Sequence, residues 1–533
     1  MAKAGAQGGA AHASFPRGSL RIGIIDLIAK RPTRSPYARL MLPNFASIMP
    51  QVIAAWCEQL GHRVHYVTYT GAEDLRRALP DDLDVLFLGA FTPAAYLAYS
   101  ISSLYRGRGV ITVLGGPHAR AYPEDARAHF DYVLGFTDRA LVRDLLQACE
   151  GHTGRGVMLS TDRQPRDLPG VRERWKFIRQ TLDKTLWLSV VPMIGSLGCP
   201  YACAFCVDST NPYQPLPYDQ LREDLRFLRR MLGRPTLGWH DPNFGVRFDD
   251  YMGIVEEAGP PGTFRSVAES SLSLLGERHL ARLARNGFEA ITFGIETWFD
   301  FNNKAKQGTR TGLEKVEALA AQVDLITRYI PYTQTNFVWG MDQDAGPLPF
   351  DLTRRFLDLA PAAFPSHSVF TAYGRSSPLG VALQAEGRVL DVPFPFLDTL
   401  ALHNVRLRHY APGEFYRRLA GIVRDSYGPR AAARRFRSYP HAPLSPGRWM
   451  VLLRAVSSQW RAGYYARLGR RFDEDPAFRA LAEGGATAPP AILRDQVRAD
   501  LGPFLPHLPP SVLAYLERGR DSSAPLVPGP AFS

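Results

Sequence analysis

Residues 195–206 read GSLGCPYACAFC and follow directly on an apolar run, Leu186–Ile194, so Cys199, Cys203 and Cys206 fall in the loop at the end of a predicted strand. Three thiolates within eight residues can hold one face of a cubane iron–sulfur cluster and leave its fourth iron without a protein ligand, whereas an electron-transfer cluster takes four cysteines. An open metal position is where a substrate binds. Two other readings exist. A structural zinc site asks for a fourth cysteine or a histidine at short spacing, and none occurs before His240. A redox pair, Cys203 and Cys206, would leave Cys199 unexplained.

Downstream, strand-like runs at Thr236–His240, Phe264–Ala268, Ala290–Ile295, Thr333–Trp339 and Ser366–Thr371 alternate with helical stretches near 216–232, 272–286, 311–328 and 350–360. Six βα units predict an α/β fold of (β/α)6 type, a partial TIM barrel over 186–384, with its active site at the carboxyl ends of the strands. From 385 to 520 the pattern is mostly helical and broken by proline. That region and the stretch before it offer Tyr373, Arg375, Trp449, Trp460 and Tyr464, whose periodicity equally suits core helices.

Upstream, Arg21–Asp26, His62–Tyr69, Asp84–Ala90, Val110–Leu114 and Asp131–Leu134 alternate with helical stretches at Phe45–Leu60, Ala72–Ala78, Pro93–Tyr105 and Glu124–Phe130. Apolar strands linked by helices predict a doubly wound, Rossmann-like parallel sheet over 20–148, with ligands beyond the carboxyl ends of its strands. Residues 149–185 carry Gly, Pro and charge without periodicity and read as a linker. Residues 1–19 and 521–533 read as a disordered lead-in and tail. In TVLGGPH, Gly115 and Gly116 end the fourth strand in a turn whose missing side chains let a bulky ligand approach the backbone.

The cysteine loop after the first strand of such a series resembles the radical S-adenosylmethionine superfamily. The resemblance implies that Cys199, Cys203 and Cys206 bind a [4Fe–4S] cluster, that S-adenosylmethionine binds the open iron, and that Phe205 lies against the adenine. His240-Asp-Pro-Asn-Phe-Gly245 is similar to the second-strand motif of the cobalamin-dependent branch, which implicates Asp241 and Asn243. Phe293-Gly-Ile-Glu296 resembles its fourth-strand motif, with Glu296 implied at the ribose hydroxyls; Gly340 is a weaker match at the fifth strand.

The preceding sheet and its Gly-Gly-Pro-His turn complete a resemblance to cobalamin-binding members, in which Gly115, Gly116, Pro117 and His118 border the nucleotide tail of the cofactor. Two departures stand out. There is no Asp-x-His-x-x-Gly to supply a lower cobalt ligand, and the usual acids after the fifth strand are replaced by Gly135-Phe136-Thr137-Asp138.

The resemblance implies cobalamin-dependent methylation of an unactivated carbon in a small-molecule substrate, with an electron donor such as flavodoxin or ferredoxin. The same cofactors also serve radical cyclisation, ring contraction and rearrangement, and a non-catalytic cobalamin or cluster sensor is an alternative of another class. No Ser/His/Asp or paired-carboxylate constellation is found, so no residue is assigned as an acid–base catalyst.

The 533 residues carry a net charge of +12, but only seven of the 63 basic residues are Lys and the Arg are scattered, which argues against a nucleic-acid stripe. The run Arg430–Arg437 (RAAARRFR) reads as a solvated helix face. No apolar run approaches the roughly 20 residues of a membrane span. Three of five cysteines lie in one motif, which suits a reducing, cytoplasmic compartment, and Cys57 and Cys149 read as ordinary buried thiols.

Overall fold

A computed structural model of the chain describes residues 18–151, 154–185, 188–299, 310–442, 446–486 and 488–518. The expected lead-in and tail lie outside the described residues, apart from residues 18 and 19, as do the first two residues of the strand expected at 186–194.

Two all-parallel sheets carry the α/β fold. Strands β1 (Arg21–Leu27), β2 (Arg63–Tyr69), β3 (Val85–Ala90), β4 (Ile111–Gly115), β5 (Tyr132–Leu134) and β6 (Val157–Leu159) pair in the order β2-β1-β3-β4-β5-β6. The winding direction reverses between β1 and β3, which opens a crevice at their carboxyl ends. Next come β7 (Val190–Met193), the short antiparallel pair β8 (Ser196–Leu197) and β9 (Gln214–Pro215), then β10 (Thr236–Trp239), β11 (Arg265–Ser270), β12 (Phe288–Glu296), β13 (Tyr332–Trp339) and β14 (Phe364–Val369). In the second sheet β7 and β10 to β14 pair in chain order.

Side-chain alternation explains the two compositions. In β1, Ile22 and Ile24 enter one core with Trp56 and Phe87, while Ile25 and Leu27 enter another with Leu88 and Tyr99. Both faces are covered, so the strand is largely apolar, and its one buried charge-bearing residue, Asp26, accepts from the Ser47 N–H at 2.7 Å. In β13 only one face is fully buried: Phe337 and Trp339 pack against helices, with Trp339 stacked on Phe350 at 4.4 Å. The other face is polar and half-buried, and there Gln334 donates to Asn336 at 2.8 Å.

The linker expected at 149–185 is structured. It holds β6, which pairs with β5, and helix Val171–Leu182, whose Phe177 ring lies 5.3 Å from Tyr66 of β2. The same helix sends Val171 and Ile178 into the core of the second sheet, so it serves both. Pro169 and Gly170 precede this helix, and no proline or glycine lies within it. The carboxy-terminal helices also divide. Pro412–Tyr427, Pro446–Glu474 and Pro476–Glu483 pack on the second sheet, whereas Val497, Leu501, Leu508, Val512 and Leu516 enter the core of the first. The helix expected at Ala72–Ala78 shortens to Leu75–Ala78, capped by Asp74, which accepts from the Arg76 N–H at 3.1 Å.

The packing of the last helix is energetically testable. Leu516 is fully buried against the first sheet, and Leu516→Ala removes both transfer energy and packing there. Thermal denaturation should show a loss of about 2–4 kcal/mol, whereas Leu232→Ala, at a 40% exposed position, should leave the transition nearly unchanged.

Candidate functional site

A cavity of about 330 Å³ opens where β3, β4 and β5 end and where the chain leaves β7 and β10. Ile48, Pro50 and Leu88 make its walls apolar, and Arg120, Thr137, Asn211 and His240 add polar groups. It joins the carboxyl ends of both sheets, the position at which open parallel sheets bind ligands.

Gly115, Gly116 and Pro117 lie on this wall. A Cβ on Gly115 would meet nothing within 4 Å, so the backbone there faces open space. Gly116 has φ +92°, and a Cβ would sit 3.0 Å from the Ala90 carbonyl, so this position needs glycine. His118 is elsewhere. Its ring is buried behind the turn, with Nε2 2.6 Å from the Tyr99 hydroxyl and Nδ1 3.4 Å from Thr92 Oγ1, and Tyr99 in turn donates to Asp125. Burial, with the charge of His129, pushes its pKa down to about 3. The imidazole is therefore a neutral brace for the turn. Asp138, the last residue of the stretch that replaces the usual acids, caps helix Arg139–Cys149 by accepting from the Leu141 N–H at 2.8 Å.

The cysteine loop reaches the cavity through the residues that flank its thiols, Leu197, Gly198, Asp208 and Asn211. The β8–β9 pair closes its base, where Gly198 has φ +65° and a Cβ would fall 2.3 Å from the Asn211 carbonyl. Cys199 and Cys203 are buried, Cys206 is half-buried, and none is in a disulfide. The Cys206 N–H donates to the Cys203 carbonyl at 2.9 Å, and the Asp208 N–H donates to Cys206 Sγ at 3.5 Å. Among the described residues no three His, Cys, Asp or Glu side chains converge on a single-ion site. A cubane makes a different demand, since each thiolate binds its own iron. Three thiols outside any disulfide, on one loop, fit that donor set. Phe205 packs on Met341, Phe370 and Leu383 beyond β13 and β14, and the Leu379 N–H holds the loop through the Ala204 carbonyl at 2.9 Å.

The strand-end residues bind the protein itself. Buried Asp241 accepts from the Gly195 N–H at 2.9 Å and the Ser196 hydroxyl at 2.7 Å, which fixes the entry to the cysteine loop. Burial raises its pKa to about 6 against those bonds. Asn243 donates to Ser271 Oγ at 2.7 Å and accepts from the Ser271 N–H at 3.1 Å, tying the end of β10 to that of β11. Neither residue lines the cavity; their neighbours His240 and Pro242 do.

Glu296 ends β12 at φ 65°, the only non-glycine residue with positive φ among the described residues, beside an irregularity in the β12–β13 register. Such a conformation costs about 1–2 kcal/mol and is characteristic of functional sites. Its carboxylate folds back over Gly294. Gly340, φ +93°, ends the neighbouring β13. Tyr373 and Tyr464 are half-buried, Arg375 is paired with Glu124, and Trp449 and Trp460 are solvent-exposed, so these five do not assemble into one site.

Some site residues had no signal in the sequence, and His240 had one only as the first residue of the second-strand motif. Arg120 lies on the cavity wall with its guanidinium 5.1 Å from the Phe136 ring centre. His240 is exposed on the cavity; desolvation of its imidazole within the cleft, with the Arg174 charge, pushes its pKa down to about 4. Behind Glu296, the Thr297 hydroxyl donates to buried Asp344 at 2.7 Å and Lys315 donates to the Thr297 carbonyl at 2.6 Å. The Asp-Pro at 241–242 was the one cue that β10 ends in a turn rather than a helix start.

No protein-family model matches the chain. Over 304 residues it is 22% identical to bacteriochlorophyllide d C-12(1)-methyltransferase of Chlorobaculum tepidum, covering 55% of this chain and 65% of that protein. Over 181 residues it is 31% identical to bacteriochlorophyllide d C-8(2)-methyltransferase of the same organism, covering 31% and 39%. The chain thus spans less than two thirds of either relative. Among solved structures it is similar to the radical S-adenosylmethionine methyltransferase TsrM from Kitasatospora setae with cobalamin and a [4Fe–4S] cluster bound, at a TM-score of 0.53 and 15% identity over 86% of this chain and 99% of that one. It is also similar to the cobalamin-dependent S-adenosylmethionine radical enzyme OxsB with aqua-cobalamin bound, at 0.56 and 12% over 95% and 82%. These likenesses establish a common fold.

Two outcomes follow from the buried groups. Burial holds the Asp344 carboxyl near 7, against an ordinary value near 4, despite Thr297 and Lys315. The folded state therefore keeps a proton that the unfolded chain releases, and this stability is present below about pH 4 and lost as pH rises to about 7. Denaturant titrations should show Asp344→Asn gaining on the wild type by on the order of 2–4 kcal/mol between those limits. His240 should remain neutral at pH 6, with its NMR shift, assigned by His240→Gln, moving only near pH 4.

Proposed function

We propose that this chain is a cobalamin-dependent radical S-adenosylmethionine enzyme that methylates an unactivated carbon of a small molecule. The observation that carries the reading is that residues on either side of the three cysteines, Gly198 and Asp208, line the same cavity as the Gly115–Gly116 turn. The names of the two curated relatives, both methyltransferases, and the cofactors of the similar solved structures support it.

In this reading the second sheet is a partial (β/α)6 barrel, residues 20–148 form the cobalamin-binding unit, and 186–384 hold the cluster. Cys199, Cys203 and Cys206 would hold the [4Fe–4S] cluster, and Phe205 would lie against the adenine of S-adenosylmethionine. Glu296 would accept from the ribose hydroxyls, backbone near Asp241, Asn243 and Gly340 would border the rest of that molecule, and Gly115, Gly116 and Pro117 would border cobalamin with His118 bracing them. When bound, these groups supply a carbon radical and a methyl group. The chain itself positions and shields: Asp241 holds the cysteine loop, the apolar wall of Ile48, Pro50 and Leu88 excludes water, and Arg120 offers a fixed cation. A single-electron donor such as flavodoxin or ferredoxin and a reducing cytoplasm would complete the system.

The test uses anaerobically reconstituted protein. Wild type should bind about four irons per chain, retain hydroxocobalamin and form 5′-deoxyadenosine from S-adenosylmethionine and reductant. Cys203→Ala should lose the cluster absorbance and the 5′-deoxyadenosine while keeping cobalamin. Gly115→Phe, which fills open space, should do the reverse. Loss of neither cofactor in the two variants would overturn the assignment.

A further inference from the structure

Helix Pro446–Glu474 buries Ala462, Tyr465, Leu468 and Phe472 against the second core, yet its first half is apolar on the outer side as well. Trp449, Leu452, Leu453, Val456 and Trp460 are 63%, 51%, 45%, 63% and 67% exposed. At 3.6 residues per turn these five share an arc of about 100° and a length of about 16 Å. Phe436 of the adjoining helix Pro429–Ser438, 41% exposed and 4.6 Å from the Arg448 guanidinium, widens the patch. Contiguous apolar surface of this kind marks an interaction face.

The charge around it selects the partner. The two helices contain ten arginines and only two acids, Asp473 and Glu474, which lie about 20 Å beyond Trp460. Exposed Arg467, Arg470 and Arg471 continue the apolar arc along the helix, and exposed Arg430 and Arg437 have no acidic partner among the described residues. Several of these arginines are engaged within the protein: Arg435 is buried, donating to the Ala363 and Ser426 carbonyls, Arg454 donates to the Tyr332 hydroxyl, and Arg434 and Arg471 pair with Asp358 and Asp475. A second copy docked on this face by a twofold axis would set arginine against arginine. A surface that is apolar within and negative at its boundary matches both features.

We propose that this face docks the protein on an anionic lipid surface, with Trp449 and Trp460 entering the headgroup boundary and the arginines meeting lipid phosphates. No single helix among the described residues is long and apolar enough to cross a membrane, so the contact is peripheral. It is independent of the enzymatic reading.

Purified full-length protein would be sedimented with vesicles of phosphatidylcholine alone and of phosphatidylcholine with phosphatidylglycerol. Wild type should bind the anionic vesicles, with a blue shift of tryptophan emission, and lose binding as salt rises. Trp449→Ser/Trp460→Ser should weaken binding at least about tenfold with an unchanged melting temperature, and Arg430→Gln/Arg437→Gln should weaken it and reduce its salt dependence. Absence of binding, equal binding to neutral vesicles, or binding unaltered in the tryptophan variant would overturn the proposal. So would a wild-type dimer in analytical ultracentrifugation that the tryptophan variant abolishes, which would assign the face to a second copy.

Discussion

The cavity exists because an aromatic seam holds the carboxyl ends of two parallel sheets toward each other. Phe394, in the segment after β14, packs on Tyr96, His118 and Tyr122, in and beside the helices that follow β3 and β4, at ring distances of 5.5, 5.0 and 4.7 Å. Beside it the Arg375 N–H donates to the Ala121 carbonyl at 3.0 Å, and the Tyr122 hydroxyl donates to the Ala372 carbonyl at 3.3 Å. The same segment carries Leu379, which holds the cysteine loop. One stretch of chain therefore sets both the spacing of the sheets and the position of the thiols.

Around that cavity, the ionisable groups work mainly on the protein's own backbone. Asp241 and Asn243 order two strand ends, His118 supports a glycine turn from behind, and the Thr297–Asp344–Lys315 group stands beneath a residue held in a left-handed conformation. Such arrangements restrict the loops before any ligand arrives, which lowers the ordering cost of binding.

The carboxy-terminal third is a clamp as well as a surface. Its helices cover the outer face of the second sheet, and its last two return to the first, so the two sheets share packing at the seam, through helix Val171–Leu182, and through the tail. The outer stripe of helix Pro446–Glu474 is the part of this clamp with no core to serve. Trp449 and Trp460 read as core by periodicity because an apolar arc facing outward has the same spacing as one facing inward.

Periodicity and spacing by themselves determined the alternating strands of both sheets, the parallel winding that a connecting helix demands, the cysteine loop after β7 and the glycine turn after β4. These are local properties, set by which residues follow one another. What the tertiary structure alone decided was pairing across distance: that 149–185 is a shared helix and an edge strand, that the last helices return to the first sheet, that Asp241 faces Gly195 and Ser196, and that His118 turns inward while Arg120 and His240 reach the cavity. Burial and hydrogen-bond partners depend on residues far apart in sequence, and a single Asp, His or Trp carries no local record of which side of a strand end or helix will be covered.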